Sequence, residues 1–493
     1  RRRISNREPI NLRFHKKTTQ PIMRTLLSFL LSLTVLTLSA QVKKYTLEEC
    51  VLIALEKNIS IQQSELDLEG AEIDKADAYG NFFPRINAQS QHIWNNGLSQ
   101  NITNGLIENL TTQFSSFGGN VGVTLFSGKQ NTNQLARANL NIIARQYQLE
   151  DMKDDISLFV ANSYLQVMFN KELEQVQRYQ LELAKQELER TQVRIEAGVQ
   201  TQVEIYEIEA NLAAQEQALV QAENASRLSR ISLAQLLLIT DYETFDIADV
   251  DYVVPLSQIL LEQPKNIYEK ALTFRNDIKV GATNIEIAKK DIDLAKGSLM
   301  PTLSAFYNYN TRISYSDRFL ETGNLIETPI GVVKENGALV VSQFPERTVA
   351  DPLPFVDQFR QNDGHSYGLS LNIPIFNGLS AKNNIKRRKL NLKRSENQFE
   401  QTKLDLENTI NQAYNNAEGA YKFFEASGKT LKARREAYLM AEKQFEAGVT
   451  NSYDFIQTKQ RYEIAASDNV RAKYDYIFKL KVLEFYFGIQ ISI

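Results

Sequence analysis

The stretch Leu125-Phe126-Ser127-Gly128 recurs as Ile375-Phe376-Asn377-Gly378, and Glu196-Ala197-Gly198-Val199 recurs as Glu446-Ala447-Gly448-Val449, both at an offset of 250 residues. Phe117-Gly118 and Tyr367-Gly368 keep that offset. Nearer the start the offset is 217: Ala54-Leu55 matches Ala271-Leu272, Ala71 matches Ala288, Asp74 matches Asp291, Gly80 matches Gly297, and Phe83-Pro84 matches Met300-Pro301. The change of offset places a 33-residue insertion between Pro301 and Tyr367. The chain is two copies of one unit, 41–254 and 255–493, that differ by one inserted segment.

Each copy reads in the same order. A helix of about 20–25 residues ends near Gly80 or Gly297, and Pro84 or Pro301 then starts the strands. Ile86, Ala88, Ser90, His92 and Trp94 alternate with Arg85, Asn87, Gln89 and Gln91, and Tyr367, Leu369, Leu371, Ile373 and Ile375 alternate with small or polar residues. Period-2 alternation predicts strands at about 85–95, 116–126, 302–316 and 363–376, each with one apolar and one polar face. Gly128 and Gly378 mark where the strands end.

A long helix follows in each copy. Residues 129–197 hold neither Gly nor Pro, 69 positions that reach roughly 100 Å at the helical rise. The second copy repeats this from Leu379 to Ala447, interrupted only by Gly419 and Gly428, and continues from Val449 to Phe487. Tyr206, Ala210, Ala213, Gln217 and Val220 step 4-3-4-3, the coiled-coil spacing. Gly198 and Gly448 fall where two antiparallel helices need a left-handed residue at a tight turn, so hairpin tips are expected near 198 and 448.

Composition agrees with long unbroken elements. The 493 residues include 21 Gly and 11 Pro, about half the usual share of breakers. A mean hydropathy of −0.34 excludes a bundle of apolar spans of about 20 residues each, but not a transmembrane β-barrel, whose strands alternate. Met23-Arg24-Thr25, the 13-residue run Leu26–Leu38 and Leu38-Ser39-Ala40 read as a signal peptide over 23–40, cut after Ala40. A run of 13 residues is too short to anchor in a bilayer. Residues 1–22 precede the first Met and read as an upstream extension, a basic leader being the alternative.

Residues 1–40 carry eight Lys/Arg and one Glu, so removing them takes the net charge from −3 to −10. An acidic exported chain is a poor partner for nucleic acid. The single Cys50 allows no intramolecular disulfide or thiol metal cluster; it reads as a buried helical residue.

Two strand pairs cannot close a barrel, and an open apolar sheet is unstable alone. Closure then requires several copies of the chain, in a bacterial outer membrane. Helices of roughly 100 Å exceed any bilayer and must project into an aqueous space. The fold class expected is mainly α with a small β portion: long antiparallel helical hairpins forming a tube, continued by strands in the membrane.

This layout resembles the TolC family of outer-membrane efflux channels over about residues 45–489. The resemblance is carried by Ala54-Leu55-Glu56-Lys57-Asn58 and Ala271-Leu272-Thr273-Phe274-Arg275 at the openings of the repeats, and by the strand starts, strand ends and tips already quoted. It implies a homotrimer with a 12-stranded barrel, four strands per chain, above a periplasmic α-barrel. It also implies tips that dock onto a periplasmic adaptor linked to an inner-membrane pump. The function implied is the exit duct of a tripartite efflux system, with a type I protein secretion duct as the alternative. A surface-anchored coiled-coil protein or soluble scaffold would leave the alternating strands without a partner.

In the family, acidic residues just beyond the tip glycine can ring the constriction, and here Glu204 and Asp454 stand six residues after Gly198 and Gly448. A carboxylate ring and ordinary solvated helix charge both fit them. Docking residues implied at the tips are Gly198, Val199, Gln200 and Thr201, with Gly448, Val449, Thr450 and Asn451. Thr450 stands where some relatives carry a basic locking residue, so that lock is not expected here.

The inserted segment, about 317–362, is expected as an external loop. Lys386-Arg387-Arg388-Lys389 with Lys393-Arg394 reads as a solvated helix face, or as contact with outer-membrane lipids. Asp151, Asp154 and Asp155 read as exposed coiled-coil charge. Trp94 is expected at the end of the first strand, as an interfacial anchor. His15, His92 and His365 are scattered, and no metal-ligand spacing, nucleophile elbow or phosphate loop is present. No enzyme activity, metal or cofactor is expected.

Overall fold

A computed structural model describes residues 44–100, 107–198, 201–248 and 258–489. The expectations for residues 1–22 and the signal segment 23–40, for Val199 and Gln200, and for the repeat boundary at 254/255 lie outside these residues.

The first repeat runs β1 (Lys44–Tyr45), α1 (Leu47–Lys57), α2 (Ile59–Gly80), β2 (Arg85–Gln100), β3 (Ile107–Ser127), α3 (Gln130–Glu196), α4 (Gln202–Leu236) and β4 (Asp246–Ile247). The second runs α5 (Pro264–Phe274), α6 (Asn276–Gly297), β5 (Thr302–Ser314), β6 (Arg318–Val332), β7 (Leu339–Ala350), α7 (Phe355–Gln361), β8 (Gly364–Asn372), α8 (Ser380–Glu446) and α9 (Ser452–Phe487).

Local chemistry sets these boundaries. Thr46 and Glu49 form a reciprocal capping box at the start of α1: the Glu49 N–H donates to Thr46 Oγ1 at 3.2 Å and the Thr46 N–H to Glu49 Oε2 at 3.0 Å. Asn58 breaks the helix with an extended backbone, and its Oδ1 accepts from the Ser60 N–H at 2.9 Å to start α2. Arg275 makes the same break between α5 and α6 with φ −57 and ψ 131. The turn into each long helix is also duplicated: Gly128 and Lys129 have φ of 61 and 64, Gly378 and Leu379 of 60 and 65. Two successive left-handed residues reverse the chain, and glycine takes the first at least cost.

Helices α3 and α8 each span 67 residues, roughly 100 Å. Gly419 and Gly428 do not interrupt α8, because a glycine inside a helix costs only about 1 kcal/mol against alanine. Among the described residues no helix is long and apolar enough to cross a membrane.

Most of the core lies at mid-height of the helices in two clusters, and a smaller third one, Tyr438, Phe445 and Phe455, lies behind the second tip. Cys50, Ala54, Val160, Tyr164, Leu233 and Ile477 build the first, and Ile267, Ala271, Ile410, Tyr476, Leu480 and Leu483 the second. Helix α9 contributes to both and so ties the repeats together. Cys50 is buried, and burial pushes its thiol up to about 12.

The four strands β2, β3, β5 and β8 form one antiparallel sheet in the order β2-β3-β5-β8. The register aligns side chains in rows: Ile86, Val121, Tyr307 and Tyr367 on one face, Asn87, Asn120, Asn308 and Ser366 on the other. The sheet thus has an apolar, aromatic face and an amide-rich one, and β2 and β8 are its open edges within the chain.

Several expectations need correction. Strand β2 continues to Gln100, so Trp94 stands inside it and not at its end; it is exposed and packs edge-on against His92 at 4.0 Å. The fourth strand stops at Asn372, not 376, since Pro374 has no N–H for the ladder. The segment 317–362 is no plain loop: β6 and β7 pair as a hairpin, and α7 lies on the sheet with Phe359 against Phe117 at 5.5 Å. Gln358 fixes α7 there, accepting from the Ser314 N–H and donating to the Ser314 carbonyl, both at 2.9 Å.

Candidate functional site: the sheet and the hairpin tips

Pro84 and Pro301 sit immediately before β2 and β5, and Gly128 and Gly378 on the descent from the sheet into α3 and α8. These four positions bring all four strands of one chain to the same end of the helical bundle. The opposite end is formed by the two tips.

At the first tip, Gly198 has φ 68 and its N–H donates to the Ile195 carbonyl at 2.9 Å. Thr201 then precedes α4, its hydroxyl donating to Glu204 Oε1 at 3.2 Å. At the second tip Gly448 has φ 72, and the Val449 N–H reaches back to the Gln444 carbonyl at 2.9 Å, the six-to-one bond of a Schellman turn. Asn451 caps α9: its Oδ1 accepts from the Asp454 N–H at 2.8 Å, while its amide donates to Asp454 Oδ2 at 3.0 Å. Thr450 donates to Gln444 Oε1 at 3.5 Å. Within one chain Glu204 and Asp454 therefore each close on their own first turn, where a carboxylate also meets the positive end of the helix. Their hydrogen bonds do not bring them together.

The residues behind the tips were not singled out from sequence. Phe445 and Phe455 stack at 4.8 Å with planes 2° apart, and Tyr438 stacks on Tyr462 at 5.3 Å. Deeper in, Lys459 is buried and its Nζ donates to Glu187 Oε2 at 3.3 Å. Gln215 donates to Glu463 Oε2 at 3.0 Å. Burial raises the pKa of both Glu187 and Glu463, and Lys459 opposes the rise. Ser452, Phe455, Lys459 and Glu463 are buried at steps of three and four along α9, but three of the four are polar, so hydrophobic periodicity does not mark this face in the sequence.

Higher up, the aspartates read as exposed charge turn out to flank a buried arginine. Arg275 lies at the break between α5 and α6, with Nε and Nη2 on the two Asp277 oxygens at 3.2 and 3.1 Å and Nη2 3.6 Å from Asp151 Oδ1. Asn276 donates to Asp154 Oδ2 at 3.1 Å. Burial pushes Asp151 up to about 6, with Arg275 pulling the other way. Asp155 alone of the three is on the open side. The pattern Asp151/Asp154/Asp155 gave no hint of this, because Arg275 is over a hundred residues away in sequence.

These residues describe a sheet with an apolar face and an amide-rich face, joined to long hairpins with tightly built tips.

Comparison with known proteins agrees. The family model described as "Outer membrane efflux protein" matches residues 52–237 and 267–488. At the level of sequence no curated protein matches the chain. Among solved structures, the chain is similar to the outer membrane protein VceC of Vibrio cholerae, with TM-score 0.68 and 13% identity over 90% of this chain and 97% of that one. It is similar to the CmeC outer membrane channel of Campylobacter jejuni, with TM-score 0.66 and 14% identity over 90% and 85%. The open MtrE outer membrane channel of Neisseria gonorrhoeae gives 0.64 and 16% over 90% and 89%. At these identities the structures testify to the fold. The two matched segments, one in each repeat, cover most of the length, and the chain belongs to the outer membrane efflux protein family.

Proposed function

We propose that this protein is the outer-membrane exit duct of a tripartite efflux pump. Three copies join through β2 and β8 into a twelve-stranded barrel, and their long hairpins form a tunnel across the periplasm. The apolar rows face lipid, and the amide rows line a water-filled lumen. Transport through such a duct is passive; an inner-membrane pump supplies the energy and selects the cargo.

The observation that carries this reading is the register of the sheet. The rows Ile86–Val121–Tyr307–Tyr367 and Asn87–Asn120–Asn308–Ser366 span all four strands. A sheet with two dissimilar faces and two open edges is unstable in water and complete only in a closed barrel.

At the far end, Thr201 with Val449, Thr450 and Asn451 forms the docking surface for a periplasmic adaptor, and Val199 and Gln200 join it by their place in the sequence between Gly198 and Thr201. Three copies of Glu204 and Asp454 would set six carboxylates around the narrow end, which favours cations over anions. Deletion of the gene should sensitise cells to drugs or detergents, and complementation by the wild-type chain should restore resistance. A deletion strain with unchanged sensitivity to every exported class tested, small molecules and proteins alike, would overturn the reading.

A further inference from the structure

Strands β3 and β5 are neighbours in the sheet, and the helices attached to them, α3 and α6, pack side by side beneath it. Two contacts mark that junction. A Cβ on Gly128 would lie 2.5 Å from the Gly297 carbonyl oxygen, and a Cβ on Gly297 would lie 2.8 Å from the Gly128 oxygen, so the two backbones touch. Farther from the sheet, Arg137 Nε lies 2.7 Å from Asp291 Oδ1.

The duplication supplies a counterpart for each partner. Gly378 and Arg387 stand 250 residues after Gly128 and Arg137; Gly80 and Asp74 stand 217 residues before Gly297 and Asp291. The helices that carry them are matched in length, 67 residues for α3 and α8 and 22 for α2 and α6. Within one chain these counterparts are open. Nothing lies within 4 Å of a Cβ built on Gly80 or on Gly378. Asp74 and Arg387 are exposed and have no ion-pair partner among the described residues. Their helices adjoin β2 and β8, the two open edges of the sheet.

A cleft of about 610 Å³ borders this open face, lined by Asp74, Asp77 and Gly80 of α2 and by Gln134 and Arg137 of α3. The matching gap at the internal junction, between α6 and α8, has Gln130, Gln134 and Arg137 of α3 on its third side. Charge points the same way. Helix α2 exposes Glu65, Asp67, Glu69, Glu72, Asp74 and Asp77 against the single Lys75. The head of α8 exposes Lys382, Lys386, Arg387, Lys389, Lys393 and Arg394, with no acid before Glu396.

We propose that Arg387 in one copy of the chain pairs with Asp74 of the next copy, seated in that cleft, with Gly378 packed against the neighbouring Gly80. The contact repeats between copies the junction that Arg137–Asp291 and Gly128–Gly297 make within each. It rests on the three-copy reading above and names the surface that closes it. The basic run at the head of α8 then faces the acidic α2 of its neighbour and not lipid.

Two measurements on the full chain in outer membranes test this. Asp74→Arg and Arg387→Asp should each lower the fraction of trimer on native electrophoresis in mild detergent several-fold, and the double reversal should restore most of it. Asp74→Cys with Arg387→Cys, in a Cys50→Ser background, should give covalent dimers and trimers with a short bis-maleimide, while each single-cysteine variant stays monomeric. The cysteine measurement stands even where a charge reversal fails to fold. Trimers that form without the 74–387 crosslink, together with a double reversal no better than the singles, would overturn the contact and leave the three-copy reading intact. A wild-type chain that stays monomeric under general amine crosslinking would overturn both.

Discussion

Lys459 on α9 and Glu187 on α3 meet at 3.3 Å inside the bundle, the lysine 1% exposed and the glutamate 12%. The pair joins the second repeat to the first, behind the tips that carry the proposed docking surface. Burying two charges is costly, and the cost is met only while both are present. Lys459→Ala strands Glu187 and the nearby Glu463 without their cation, and should destabilise the chain by about 3–5 kcal/mol at neutral pH. Both carboxyls already have raised pKa values through burial. The folded state of this variant therefore binds protons that the unfolded state does not, and stability should recover as pH falls toward the ordinary glutamate range. Urea unfolding at neutral and mildly acidic pH measures this; a loss independent of pH would contradict it.

Asp151 offers a second pH signature. Its carboxyl is raised from 3.8 to about 6, mainly by burial. Between these values the folded state holds a proton that the unfolded state has released, so this group's contribution falls as pH rises through the window. Asp151→Asn should flatten the Tm-against-pH curve over that interval. An unchanged slope would show that Arg275 compensates fully for the burial.

The junction glycines are predicted to differ in a single chain. Both Gly128 and Gly378 have left-handed backbones, so alanine costs roughly 1–2 kcal/mol of strain at either. Only at Gly128 does the new methyl also collide with the Gly297 carbonyl and with Met300, which adds about 1–3 kcal/mol. Unfolding of dispersed monomer should therefore find Gly128→Ala the more damaging. Equal costs in the monomer would contradict the asymmetry.

The tips should differ too. Asn451 makes a side-chain cap on α9, whereas Thr201 makes none on the α4 backbone. Asn451→Ala should lose about 1 kcal/mol of local stability and Thr201→Ala less, read as faster amide exchange in the first turn of each helix.

The repeat was legible because its marks are chemically specific. Gly128, Gly198, Gly378 and Gly448 recur at one offset, and each occupies a left-handed turn. Freedom from Gly and Pro announced α3, and alternation around Tyr367 and Ile86 announced the sheet. The β6–β7 hairpin was hidden because Pro329, Pro345, Gly323 and Gly331 look like loop residues; a two-stranded ribbon is all edge and tolerates them, with bulges at Glu321/Leu325 and Pro329/Gly331. The Arg275–Asp151 cluster was hidden for another reason. Its charges come from separate helices, and periodicity along one helix says nothing about what its polar face will meet.

Assembly of this chain into a conducting outer-membrane channel is tested by electrical recording. Purified protein should be added to planar lipid bilayers, wild type beside a Glu204→Gln, Asp454→Asn variant. A channel of this kind gives discrete conductance steps, with weaker cation preference in the variant because the carboxylates at the narrow end are gone. Folded protein that inserts into the bilayer but never conducts, in either form, would contradict it.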